Sequence, residues 1–230
     1  MGRFGRMWVR GGLVCAAAAG GFSGAALGAM AAGAAREEAP PLQGVSSQAH
    51  ETARRVLAGG DAQGRPFAIV DKKHARLLVY RGDGLLLGAT PALLGQTPGD
   101  HAVPGAGLRA GKMAPHERTT PAGRFESEPG RNHRGEGIVW IDYEASLAIH
   151  RLRPAAAHER RPQRLASPTP EDNRISLGCV IVDPAFYDAI VAPTLGRQRG
   201  VVYVLPESAG GGVQLAAGRS AVPNGPGPSP

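Results

Sequence analysis

The chain has 230 residues, of which 34 are glycine and 20 proline, with 5% aromatics and a formal charge of +7. Its basic residues are scattered among acids without interleaved aromatics, which excludes a single-stranded nucleic-acid groove as the expected function. A modest positive excess suits anionic polymers or a membrane surface instead.

Arg3, Arg6 and Arg10 precede an uncharged stretch of Ala, Gly, Leu and Val from Gly11 to Ala35, with Ala32-Gly33-Ala34 as a small-residue cleavage site. Residues 1–35 therefore read as a signal peptide that contacts the membrane during export, and the product is expected in the periplasm or otherwise in the cell envelope. The rival readings are an uncleaved anchor and acylation of Cys15; Val14 before that cysteine disfavours the second. Removing the three arginines leaves a charge of +4.

Residues 36–64 read as a linker with a short helix from Ala49 to Leu57, stopped by Gly59-Gly60. Residues 65–206 are long enough for one domain with a real core. Residues 207–230 turn to Gly, Ser and Pro and are expected to be a disordered tail.

Within the domain the apolar periodicity is mostly that of strands. Phe67–Asp71 and Arg76–Tyr80, then Leu85–Ala89, form a meander, and further strands are expected at 137–143, 146–150, 179–182 and 201–205. Pro184–Val191 reads as a helix capped by Asp183. The expected class is mainly β with minor α.

Without the signal peptide, one cysteine remains, Cys179, in Ser176-Leu177-Gly178-Cys179. An unpaired thiol in an exported protein is an inert buried side chain, an intermolecular bridge or a nucleophile. The preceding Ser-x-Gly favours the nucleophile, because glycine lets backbone approach a substrate closely. The remaining histidines lack metal-ligand spacing, so no metal is expected.

Asp71–Tyr80 (DKKHARLLVY), Thr119–Phe125 (TTPAGRF), Ala148-Ile149-His150 and Ser176–Cys179 occur in this order, and the run 66–206 resembles L,D-transpeptidase catalytic domains of the YkuD type. The resemblance implies a β-sandwich or barrel-like mixed sheet and a cofactor-free cysteine acyltransferase. In that reading Cys179 attacks a stem-peptide carbonyl of peptidoglycan, D-alanine leaves, and an amine of a second stem peptide or of an envelope protein takes the acyl group.

His150 is the implied base, its ring nitrogen expected within roughly 3–4 Å of the thiol. Its tautomer is to be fixed by the Arg151 carbonyl or the Ser176 hydroxyl. Backbone N–H groups of Gly178 and Cys179 are expected to hold an oxyanion; Ser176 either positions this site or simply caps a turn. Thr120, Pro121 and Gly123 are expected to shape a nearby turn.

Three features depart from the family. Leu177 replaces a second histidine, and Ile181 replaces Asn or Arg two residues after the cysteine. The segment 151–174 is longer than usual and rich in Arg and Pro, so it is expected as a loop over the site. Arg151, Arg153, Arg160, Arg161, Arg164 or Arg174 could meet carboxylates of a stem peptide, with Arg151 and Arg174 the leading candidate substrate-binding residues, against a default of solvated charge. The alternatives are a peptidoglycan hydrolase or carboxypeptidase using the same site, and a catalytically degenerate wall-binding domain.

Overall fold

The computed structural model describes residues 45–103, 105, 109 and 112–208; the expected signal peptide and nearly all of the expected tail lie outside them. Nine strands follow in chain order: β1 (Phe67–Asp71), β2 (Arg76–Tyr80), β3 (Leu86–Gly95), β4 (Gly123–Arg131), β5 (Gly137–Asp142), β6 (Leu147–Arg151), β7 (Arg174–Ser176), β8 (Val180–Val182) and β9 (Gly200–Val204). Their order in the sheet is β2-β1-β9-β4-β5-β6-β8-β3-β7, and β2 also pairs with β3. That pairing closes eight strands on themselves and leaves β7 on the edge of β3. Closure removes free edges that would otherwise invite pairing with other chains. The mainly β, barrel-like class expected from the sequence is what is found.

Strand alternation divides the apolar side chains into an inside and an outside. Val70, Leu77, Ala92, Leu94, Leu147, Ile149, Val180, Val182 and Val202 point inward and meet Tyr187, Val191 and Leu195. Those three residues lie on or just after the turn of helix that begins at α3 (Pro184–Phe186) and continues as a π-helical turn over Tyr187–Val191. Asp183 caps α3 through its carboxylate, as expected from the Asp-Pro pair. On the outer surface, α1 (Ser47–Ala58) buries Ala49, Ala53 and Val56 against Phe67, Ile69 and Tyr203. A separate patch of outer surface, Leu93 and Ile181, is covered by Leu165 of α2 (Arg161–Ala166).

Several boundaries differ from the sequence reading. The fold begins with α1 rather than at residue 65, because one face of that helix is apolar and packs on β1 and β9. It extends to Ser208, because the Glu207 side chain accepts the Gly99 N–H at 2.7 Å and the Glu207 N–H donates to Asp100 at 2.8 Å. β4 is not among the expected strands: Gly123-Arg124-Phe125-Glu126 carries few β-branched residues, yet it pairs with Val201–Val204 of β9. The segment 151–174 is not a plain loop; it contains α2 and two short 3-10 turns, Ala157–Glu159 and Pro170–Asn173.

Candidate functional site

β6 and β8 run parallel, with Ile149 opposite Val180 and His150 opposite Ile181. Extending this register by one residue sets Ala148 opposite Cys179. Side chains on facing positions of parallel strands share a face, so Ala148, His150, Cys179 and Ile181 all point outward, away from the barrel interior. Cys179 and His150 are thus diagonal neighbours on adjacent strands, a separation that long and aromatic side chains can bridge. Both also feel the charges of Arg153 and Arg161, which places them in one electrostatic neighbourhood.

The His150 ring has a fixed tautomer. Its Nδ1 lies 2.7 Å from the Arg151 carbonyl oxygen. That oxygen can only accept, so Nδ1 carries the hydrogen and Nε2 keeps a lone pair. Burial holds the imidazole down to about 4, with Arg153 and Arg161 acting in the same direction. At neutral pH the ring is an uncharged acceptor.

The thiol rests differently from the sequence expectation. Cys179 Sγ donates to the Ser146 carbonyl at 3.5 Å, and among the described residues no hydrogen bond joins it to His150. Burial pushes the thiol up, offset in part by a backbone hydrogen bond from Ala148 and by Arg153 and Arg161. The neutral thiol, a weak donor, finds an acceptor in the carbonyl of Ser146, whose backbone adopts φ +52°.

The loop carrying the thiol is braced from beneath. Ser176 Oγ donates to the Cys179 carbonyl at 2.7 Å and accepts the Gly178 N–H at 3.1 Å. Thr120 Oγ1 donates to the Gly178 carbonyl at 2.7 Å and accepts the Gly95 N–H at 2.9 Å. Ser176 is therefore a positioning residue, buried with its hydroxyl fully engaged. Its bond to Gly178 corrects part of the oxyanion expectation, since the Gly178 N–H is already spent. Gly178 itself is required by geometry: φ is +138° and a Cβ would lie 2.8 Å from the Thr119 carbonyl oxygen.

Thr120 is in turn fixed by Lys72, which is wholly buried and donates to the Thr120 carbonyl at 2.9 Å and to Asp100 at 2.8 Å. Burial lowers the Lys72 pKa, while Asp100 and Glu207 raise it. Nothing local marks this role, because an interior lysine can be recognised only through partners that are distant in the chain.

Neither arginine singled out as a substrate ligand is free. Arg151 donates to Asp188 at 2.7 Å through Nε and to the Gly137 carbonyl at 3.0 Å, and its guanidinium stacks 4.1 Å from the centre of the Tyr187 ring. It alternates with His150 along β6 and so lies on the opposite side of the strand. Arg174 pairs with Glu207 and donates to the Lys72 carbonyl at 2.9 Å. Both are engaged within the fold.

Beside the thiol lies a cavity of about 90 Å³, lined by Met113, Pro121, Leu147, Leu177, Gly178 and Cys179 among others. Leu177, 40% exposed, forms part of this wall. Ile181 is instead buried with Leu93 and Leu165. The two replaced family positions thus have different fates: one makes the cavity apolar, the other anchors α2. Among the described residues no cluster of His, Cys, Asp and Glu could hold a metal ion.

No family model matches the sequence. No curated protein matches it either. Among solved structures, the LD transpeptidase LdtMt1 in complex with imipenem is similar at 17% identity and a TM-score of 0.37, over 61% of this chain. The chain spans 58% of that protein. A likeness this distant carries no assignment of activity, which has to rest on the site itself.

Proposed function

We propose that this protein is an exported cysteine acyltransferase of the cell envelope that acts on peptidoglycan stem peptides. The observation that carries the reading is the β6–β8 register, which sets Cys179 and a neutral His150 of fixed tautomer on one face, beside a cavity. The ordered motifs that resemble L,D-transpeptidases supply the substrate class.

The chemistry follows from the two protonation states. As the thiol turns from Ser146 toward His150, its proton passes to Nε2 and the sulfur attacks the acyl carbonyl carbon of the donor peptide. The resulting imidazolium returns that proton to the departing amine as the carbon–nitrogen bond breaks, leaving a thioester on Cys179. An incoming amine then attacks the thioester, loses its proton to Nε2, and the sulfur leaves and is reprotonated. The Arg151 carbonyl supports the imidazolium throughout, because its bond to Nδ1–H strengthens when the ring becomes charged. In this reading the largely apolar cavity wall disfavours water at the thioester, so that transfer to an amine is preferred over hydrolysis.

Incubation of the protein with a defined tetrapeptide muropeptide, with and without an acceptor amine, tests this reading by intact mass. Acyl adduct on Cys179 and a cross-linked product support it. Release of the hydrolysed tripeptide alone, with acceptor present, replaces transfer by hydrolysis; absence of any adduct leaves a wall-binding domain.

A further inference from the structure

Outside the thiol cavity, the segment that follows β6 encloses a second space of about 470 Å³, lined by Leu152, Arg153, Pro154, Arg160, Arg161 and Gln163 among others. Three guanidinium groups border it. Arg153 pairs with Glu136 at 2.8 Å, and Arg161 pairs with Glu159. Arg160 is exposed and has no ion-pair partner among the described residues. It also adopts φ +48°, a left-handed backbone that costs a residue with a Cβ about 1 kcal/mol or more. Strain of this kind persists where the neighbouring structure enforces it, and here it turns the chain from the 3-10 turn at 157–159 directly into α2.

This groove abuts the proposed site. Leu165 of α2 and Leu152, at the groove's edge, belong to the same apolar cluster that Cys179 packs against. The charges of Arg153 and Arg161 reach both His150 and Cys179. An uncompensated cation beside two partly shielded ones, in a groove of about 470 Å³, is matched to an anionic group on an extended chain.

We infer that the groove lined by Arg153, Arg160 and Arg161 binds a carboxylate of the peptide substrate and so holds the scissile carbonyl next to Cys179. The inference deepens the proposed function and rests on it for the role of the thiol. Arg160 is the main ligand; Arg161 exchanges part of its pairing with Glu159 for the incoming carboxylate.

Alkylation of Cys179 tests this without requiring turnover. The full chain is treated with iodoacetate, which is anionic, and with iodoacetamide, which is neutral, and the ratio of the two rates is compared with that of glutathione. The ratio is expected to exceed the glutathione value several-fold and to fall to it in Arg160→Gln/Arg161→Gln; because Arg161 also favours the Cys179 thiolate, the iodoacetamide rate of the variant serves as the reference for its general thiol reactivity. Acetyl-Ala-Glu-amide, whose one carboxylate is the side chain, is expected to protect the thiol from iodoacetate, and the uncharged acetyl-Ala-Gln-amide or an equal concentration of inorganic phosphate is not. A ratio equal to that of glutathione in the wild type overturns the inference while leaving the nucleophile intact. Equal protection by phosphate overturns the assignment to a peptide carboxylate. A thiol inert to both reagents removes the nucleophile and this inference together.

Discussion

His150 Nδ1 lies 2.7 Å from the backbone carbonyl of Arg151, the next residue in the chain. No acidic side chain is required to orient the imidazole; the strand end does it. A carbonyl acceptor, unlike a carboxylate, adds no full negative charge, so it fixes the tautomer without raising the ring's basicity much, and burial holds the pKa down to about 4.

A pH dependence follows. Between pH 6 and 8 both the thiol and the imidazole are neutral, and acylation of Cys179 is expected to be flat. As pH falls toward about 4, His150 takes up a proton, Nε2 loses its lone pair and the rate falls in proportion to the neutral fraction. Stopped-flow acylation from pH 4 to 8 measures this; a descending limb centred near the ordinary histidine value of about 6.5 contradicts the buried, neutral ring.

The same shift acts on stability. Unfolded His150 titrates near 6.5 and folded His150 near 4, so between these values the unfolded chain binds more protons and stability declines as pH falls. His150→Gln is expected to flatten this part of the thermal-denaturation profile between pH 6.5 and 4. An unchanged slope contradicts the assignment.

Thr120 ties the nucleophile loop to β3. Thr120→Val preserves shape but leaves the Gly95 N–H and the Gly178 carbonyl without their partner, at a cost of about 2–3 kcal/mol. Urea denaturation at pH 7 reads the loss, and the acylation rate at 10 °C, where the variant stays folded, is expected to drop as the loop loosens. A variant as stable as the wild type contradicts the bracing role.

Gly178 has no room for a side chain. Gly178→Ala drives a Cβ to 2.8 Å from the Thr119 carbonyl oxygen in a left-handed backbone, so the loop must shift. Stability is expected to fall by about 2 kcal/mol or more, and Cys179 to react with iodoacetamide at an altered rate. Wild-type values for both contradict the geometry.

Arg151 and Arg174 are expected to separate by stability alone. The Arg151–Asp188 pair is largely open to solvent, and Arg151→Ala costs about 1 kcal/mol. Arg174 is held with Glu207 at 12% and 14% exposure, and Arg174→Ala costs about 3 kcal/mol by stranding a shielded carboxylate. Neither substitution is expected to change KM for the acyl donor. A selective rise in KM for Arg151→Ala restores its role as a substrate ligand.

What the sequence made legible was governed by local periodicity. Phe67–Asp71 and Arg76–Tyr80 are runs of β-branched and large apolar residues, and β1 and β2 match them to the residue. Asp183-Pro184 announced its helix start through capping chemistry. β4 escaped because Gly123–Arg131 is held by its neighbours on both edges rather than by its own propensity. α2 escaped because an Arg- and Pro-rich segment hides one decisive apolar residue, Leu165, whose partners Leu93 and Ile181 are far away in the chain.

The site divided in the same way. Cys179, His150 and Gly178 could be singled out by chemistry and motif order. The direction of Arg151 and Arg174 could not, because a cation in sequence carries no mark of whether a carboxylate such as Asp188 or Glu207 folds against it. The resting bond of the thiol to Ser146 is likewise a property of packing, set by a turn that ends at the start of β6.

The central claim is tested most directly by single-turnover acylation of Cys179 with a defined acyl donor at pH 7, followed by intact mass in the wild type, His150→Gln and Cys179→Ala. The wild type is expected to form one thioester adduct, His150→Gln to form it about 10²–10⁴-fold more slowly with the fold preserved, and Cys179→Ala to form none. An adduct that forms at the wild-type rate without His150, or that forms elsewhere than Cys179, contradicts the account.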